Sequence, residues 1–248
     1  MLVLLPPSET KREGGTRGPL DVAQLAHPRL TPARRALIRA VRALARDEEA
    51  SRTALKLGAR QSGEVAHNRA LTTSPTLPAV DRYTGVLYDA LDAGTLAHDV
   101  RERAGRMLRI GSALFGLVGG LDPIPAYRLS HDSRVPGFPL KAHWATRVAR
   151  ELAEVEEPML DLRSEGYAAL GPTPDRPDCA YLRVVTRADD GATRALNHFN
   201  KKGKGLLVRA LLETPAPPAT LDELLDWAPD AGFELRRGRP GELELVLA

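Results

Sequence analysis

The chain has a single cysteine, Cys179, in 248 residues. That excludes an intramolecular disulfide framework and any zinc site built from several thiolates, and it fits a reducing compartment. The context PDRPDCAYLRVV predicts that Cys179 opens a buried strand and does not serve as a nucleophile. The histidines, at 27, 67, 98, 131, 143 and 198, form no HxxxH or HxxE pair. His131 beside Asp132 is the nearest approach to a ligand pair, so no metal site, iron included, and no cofactor is expected. Aromatic residues make up 4%, and composition by itself points to no activity. Charge of one sign is not in excess: 35 basic against 32 acidic residues give +3 and a pI near 9.2. A strongly cationic nucleic-acid protein is thereby excluded, and any basic surface must be local. Long apolar runs are missing too. Leu2–Leu5 is closed by proline after a few residues, too short for a signal peptide or a membrane span. A cytoplasmic protein with no membrane partner is expected.

What is present is a hydrophobic fraction of 43%, ample for a packed core. The most informative stretch is RMLRIGSALFGLVGGLDPIPAYRL at 106–129. Met107, Leu108, Ile110, Ala113 and Leu114 read as a mostly buried strand. It empties into a loop in which Gly116, Gly119 and Gly120 permit sharp turns or a close ligand approach. Asp122, Tyr127 and Arg128 then supply an acceptor, a phenol and a fixed cation on a segment stiffened by Pro123 and Pro125. A structural turn with Asp122 paired to Arg128 is the plainer alternative. Leu2–Leu5 reads as a buried strand, and the polar PPSETKREGGTRG as a loop leaving its end, where open sheets place ligands. Thr31-Pro32 starts a helix with Leu37, Ile38, Val41, Leu44 and Ala45 on one face. Arg34, Arg35, Arg39, Arg42 and Arg46 fall on the other face, solvated or serving as a phosphate-binding ridge.

Residues 51–58 and 61–71 read as two short helices before the connector TTSPTLPAV. A helix-hairpin-helix is conceivable there, although its usual apolar-Gly-apolar-Gly core is absent. YTGVLY heads a further helix, and 143–152 and 199–212 are helical. Strands are expected at 158–162 and 181–187, with a terminal hairpin of 233–236 and 243–246. Strands and helices alternate irregularly and no repeat is visible, so the class is α/β or α+β: one domain over 1–248 with a mixed sheet and surrounding helices. NHFNKKGKGLLVR at 197–209 sets Lys201, Lys202 and Lys204 immediately before a helix whose Leu206, Leu207, Ala210 and Leu211 face the core. Such a start is a natural phosphate seat, though the GxxxxGK[ST] order of a Walker loop is missing.

The segments LLPPSETK, YTGVLY, SALFGLVGGLDPIPAYRL, DLRSEGY and NKKGKGLLVR stand in an order and spacing that resemble the YaaA family, bacterial proteins associated with peroxide stress. The resemblance spans almost the whole chain. It implies a cytoplasmic protein of single-domain α/β fold that limits free iron and binds double-stranded or branched DNA through a basic cleft. The family-like positions are Pro7, Thr10, Tyr83, Gly85, Ser112, Phe115, Gly116, Leu121, Asp122, Pro125, Tyr127 and Arg128. They continue with Trp144, Ser164, Tyr167, Lys201, Lys204, Gly205 and Arg209. The chain departs from the family at two places. Many members read SPAKT where this one has PPSET, so Glu9 takes the lysine position and Lys11 follows two residues later. Gly119 and Gly120 replace what is often an Arg-Pro pair.

Two functions follow. In the first, DNA is held by Lys11, Arg128, Lys201, Lys202, Lys204 and Arg209. In the second, an enzyme pocket around Asp122, Arg128 and Lys201 takes a nucleotide or other small phosphorylated ligand, whose phosphate the Lys and Arg side chains hold. Ser8, Tyr83, Ser112, Ser164 and Tyr167 line it, and Glu9, Asp122 or Tyr127 are the catalytic candidates. No nucleophile with an adjacent base can be named from the sequence.

Overall fold

The computed structural model describes residues 1–58, 61, 63–187, 193–194 and 199–247. The apolar run at the start becomes β1 (Leu2–Leu5), buried along its whole length as a strand covered on both faces must be. There follow β2 (Arg17–Pro19), α1 (Thr31–Leu44), α2 (Glu48–Leu55), α3 (Glu64–Arg69), β3 (Pro75–Pro78), α4 (Ala79–Arg82), α5 (Val86–Leu91) and α6 (His98–Met107). Next come β4 (Leu108–Ser112), β5 (Gly116–Gly119), β6 (Pro123–Ile124), α7 (Leu140–Ala153), β7 (Met159–Asp161) and α8 (Glu165–Ala168). The chain continues through β8 (Cys179–Arg187), β9 (Thr193–Arg194), α9 (Phe199–Glu213), α10 (Leu221–Trp227), β10 (Glu234–Arg237) and β11 (Glu242–Leu247).

The fold is mixed α/β. The main sheet runs β10-β11-β8-β7-β1-β4-β5, with β9 beside β8, and a small antiparallel sheet runs β2-β3-β6. Strands β4, β1, β7, β8 and β11 are mutually parallel, and β5 and β10 close the edges antiparallel. The first strand is thus central, between β4 (Val3 opposite Leu108) and β7 (Leu4 opposite Asp161). Cys179 opens β8 and is buried, as its context predicts.

Several expectations need correction. The glycines from 116 do not form a loop: residues 116–119 make β5, which folds back on β4 after a turn at 113–115. Met107 ends α6 and does not belong to the strand. The terminal hairpin exists, but β11 also joins the main sheet parallel to β8 over six residues, Glu242–Leu247. That long-range pairing leaves no local signal. Arg34 does not lie on a solvated face. It is fully buried and donates to the carbonyls of Phe115 (2.9 Å), Leu117 (2.5 Å) and Ala26 (2.7 Å), tying α1 to β5. Burial lowers its pKa to about 10. Helices α2 and α3 occupy the region of the suggested helix-hairpin-helix, but residues 59, 60 and 62 between them lie outside the described residues. Leu206 is 42% exposed, whereas Leu207 and Leu211 are buried.

Candidate anion-binding cleft

At the carboxyl ends of β1 and β7 a cavity of about 820 Å³ opens, where parallel strands deliver loops. The loop after β1 supplies Ser8, Glu9 and Thr10, the start of α5 supplies Thr84 and Gly85, and the turn after β7 supplies Ser164 and Tyr167. Strand β8 adds Tyr181 and Arg183, and α9 adds Asn200, Lys201 and Lys204. Two glycines bring these walls together. Gly85 has φ +92°, a conformation L side chains rarely adopt, and starts α5 against the Ser8–Thr10 loop. Gly205 lets α9 lie on α5: a methyl group there would sit 2.3 Å from the Leu87 carbonyl oxygen. Gly205→Ala should therefore push α9 away and cost about 1–3 kcal/mol. A lower urea midpoint checks this, and an unchanged midpoint would show that the two helices are not in contact.

The lysines differ in kind. Lys201 and Lys202 are exposed on the first turn of α9, within the helix and not before it. Lys204, one turn on from Lys201, is 6% exposed and points inward. Its Nζ donates to the Leu162 carbonyl at 3.0 Å and lies 5.6 Å from the centre of the Tyr181 ring. Burial lowers its pKa to about 8, against the opposing field of Asp161. Asp161 itself is 2% exposed and is taken by Arg163, 1% exposed, through bonds of 2.9 and 2.7 Å. Arg183 is held by Glu242 at 2.6 Å and Glu165 at 3.4 Å. Lys204 has no carboxylate of its own among the described residues. Asn200 faces the same space with a buried Oδ1 that has no partner among them.

Lys11 and Arg128 meet behind the β1 loop. The Lys11 ammonium donates to the carbonyls of Ser8 (2.9 Å) and Glu9 (3.2 Å) and covers the Tyr127 ring at 4.1 Å. Burial, helped by the Arg128 charge, brings its pKa down to about 7. Beneath it runs a buried hydroxyl chain in which Tyr127 exchanges 2.8 Å hydrogen bonds with Tyr83 and with Ser112. Ser112 Oγ in turn accepts from the amides of Leu114 and Phe115. Burial raises the pKa of both phenols, so Tyr127 is a hydroxyl and not a phenolate at neutral pH. Tyr88 donates to the Pro6 carbonyl at 2.7 Å and fixes the loop. Tyr167, on the outer wall, packs its ring edge to face with His131, at 5.0 Å.

Of the sequence candidates, the cavity wall therefore brings together Ser8, Glu9, Ser164, Tyr167, Lys201 and Lys204. Lys11, Arg128, Tyr83, Tyr127 and Ser112 lie directly behind it. Three candidates are elsewhere: Lys202, exposed on α9 but not on the cavity wall, Asp122 and Arg209. Asp122 accepts from the amides of Gly119 and Ala26, both at 2.8 Å, at the β5 edge of the sheet. Burial raises its pKa, and its bonds close a turn rather than face the cleft. It pairs with neither the site nor Arg128. Arg209 donates to the carbonyls of Leu91 and Asp92 and to Thr95 Oγ1, and pairs with Glu213 at 2.7 Å, so it clamps α9 to the end of α5. Asp132 pairs with Lys56, and His131 packs edge to face with Tyr167. Among the described residues no group of three His, Cys, Asp or Glu side chains is arranged for a metal. Likewise no helix of these residues is long and apolar enough to cross a membrane. The sequence reading missed Arg183, Tyr181 and Asn68. Asn68 grips the Arg128 backbone from α3, its Nδ2 donating to the carbonyl at 2.8 Å and its Oδ1 accepting from the amide at 2.9 Å. The alternation YLRVV put Tyr181 and Arg183 on one face of β8 and was the available signal for that pair.

Residues 1–238 match the sequence model of a family described as peroxide stress protein YaaA. A UPF0246 protein of Corynebacterium efficiens is 42% identical over the full length of both chains. A UPF0246 protein of Corynebacterium glutamicum is 42% identical over 94% of each. One from Streptomyces coelicolor is 40% identical over 100% of this chain and 98% of its own. By the extent of these matches, the chain belongs to the peroxide stress protein YaaA family, the family of the UPF0246 proteins, and membership supports a role in peroxide stress.

Proposed function

We propose that the protein serves the peroxide stress response in the cytoplasm by binding a nucleotide or another small phosphorylated ligand in this cleft. The observation that carries this reading is Lys204, a buried ammonium on the cavity wall with no carboxylate partner among the described residues. A buried cation of this kind is stabilised by an anionic ligand. The cavity of about 820 Å³ lies within the range of small-molecule sites, and Tyr167 and Tyr181 are among its lining residues. The reading is one of binding: among the described residues Ser8, Thr10 and Thr84 hydrogen-bond one another and not a histidine.

DNA binding that limits iron-dependent damage is the second reading, favoured by Lys201 on the cavity wall and its exposed neighbour Lys202. The α1 arginines do not extend that patch, since Arg34 is internal and α1 is tied to the β5 edge, away from α9. Titration with mononucleotides, and with duplex, branched and single-stranded DNA across a salt series, separates the two. Nucleotide binding should survive K202E, whose site is exposed and not on the cavity wall. DNA binding, where present, should weaken in that variant and lose about one unit of salt slope. Nucleotides that fail to bind at any salt would sink the first reading, and DNA that fails at low salt the second.

A further inference from the structure

We propose that Lys11 and Arg128 form an inner subsite for a doubly charged oxyanion, a phosphate or pyrophosphate group, and that the Glu9 carboxylate is its built-in occupant, displaced when the ligand enters. The inference rests on the anion-binding reading above and adds where the charged group sits and what it competes with.

Arg128 is 8% exposed, and its Nη2 donates to Glu9 Oε2 at 2.9 Å. Its Nη1 reaches the Glu9 carbonyl at 3.5 Å. Glu9 is 66% exposed and belongs to the cavity wall, so its carboxylate comes to Arg128 from the solvent side. Lys11 is bound to two carbonyls and pairs with no carboxylate among the described residues. Glu64 on α3 and Arg82 act on it from further off and oppose each other. Two cations, Arg128 buried and Lys11 half-buried, thus share one singly charged group that contacts only one of them. A dianion with several acceptor oxygens satisfies both, and the planar guanidinium suits it.

The cations are fixed and the carboxylate is not. Asn68 holds the Arg128 backbone on both sides, and Lys11 is bridged to Tyr83. Burial of Lys11 without a carboxylate partner, which lowers its pKa to about 7, is consistent with a site awaiting an anion. The Glu9 carboxylate reaches Arg128 from solvent with one oxygen, so a phosphate group with more charge and more acceptor oxygens can replace it.

The test is calorimetric titration of pyrophosphate at pH 7 and constant ionic strength. It compares the native protein with Glu9→Gln, Glu9→Asp and Lys204→Met, each shown by circular dichroism to be folded. Glu9→Gln should bind pyrophosphate about tenfold tighter, and Glu9→Asp, one methylene short of Arg128, by an intermediate factor. Equal or weaker binding in Glu9→Gln, with native binding retained and lost in Lys204→Met, would overturn the inner subsite and leave the cleft reading standing. No pyrophosphate binding in any of the four proteins would overturn both.

Discussion

Arg163→Met should lower the unfolding free energy by about 3–5 kcal/mol, the cost of leaving a buried carboxylate without its cation. Asp161 and Arg163 are both almost completely buried, and each oxygen of Asp161 accepts from the guanidinium. Asp161 also receives the Arg163 backbone amide at 2.9 Å, so the carboxylate keeps one bond in the variant, not enough to hold a charge out of water. Against a total stability of roughly 5–15 kcal/mol this is a large fraction, and the midpoint of thermal unfolding should fall by roughly 6–20 °C. Asp161→Leu in the same chain should recover most of the loss, because removing both charges avoids the orphan. A single variant as stable as the native protein would mean that water reaches Asp161. The effect extends to the cleft, since Asp161 is the carboxylate whose field favours the charged form of Lys204.

Lys204→Met should weaken binding of an anionic ligand by about 1.5–3 kcal/mol, roughly ten- to a hundredfold. Methionine keeps the length and apolar stem of the side chain, so α9 should stay in place. Sulfate, which does not titrate near neutrality, is the probe for the accompanying pH dependence. Its affinity should fall as pH rises through about 7, where Lys11 loses its proton, and again near 8 for Lys204. The contribution of these groups to stability runs the other way. Both lysines are neutral in the folded chain above those values but still charged in the unfolded chain up to about 10.4. Between these limits the unfolded state binds more protons, so their share of stability rises with pH. Denaturation and sulfate titration at pH 6 and pH 9 check both trends, and parallel trends would contradict the placement of the two ammonium groups.

Much of this could be read in the sequence, and the failures have physical reasons. The strand β1, the α1 helix and the α9 helix carry their own periodicity, and the loop after β1 follows from the prolines that end it. Residues 116–119 were legible only as punctuation, because a glycine-rich strand buried on both sides has no alternation to announce it. Asp122 stands six residues from Arg128 in the chain, yet β6 runs between them and carries the chain away from the β5 edge. Proximity in sequence said nothing of direction. Of the three lysines at 201–204, the sequence could not say which is buried. That is decided by the contact at Gly205 with α5, more than a hundred residues earlier. Arg128 was legible as a cation, but its partners Glu9 and Asn68 come from distant loops and helices and left no local trace.

The central position of the first strand bears on how the chain emerges during synthesis. β1 pairs with β4 and β7, so its second neighbour is not made until residue 161. At about 5–20 residues per second the ribosome needs roughly 8–30 s to go from β1 to β7. Until then β1 has only its β4 partner, and its other edge depends on transient cover from other segments or a chaperone. The nascent protein is therefore most prone to aggregate before the half that completes its sheet has left the exit tunnel.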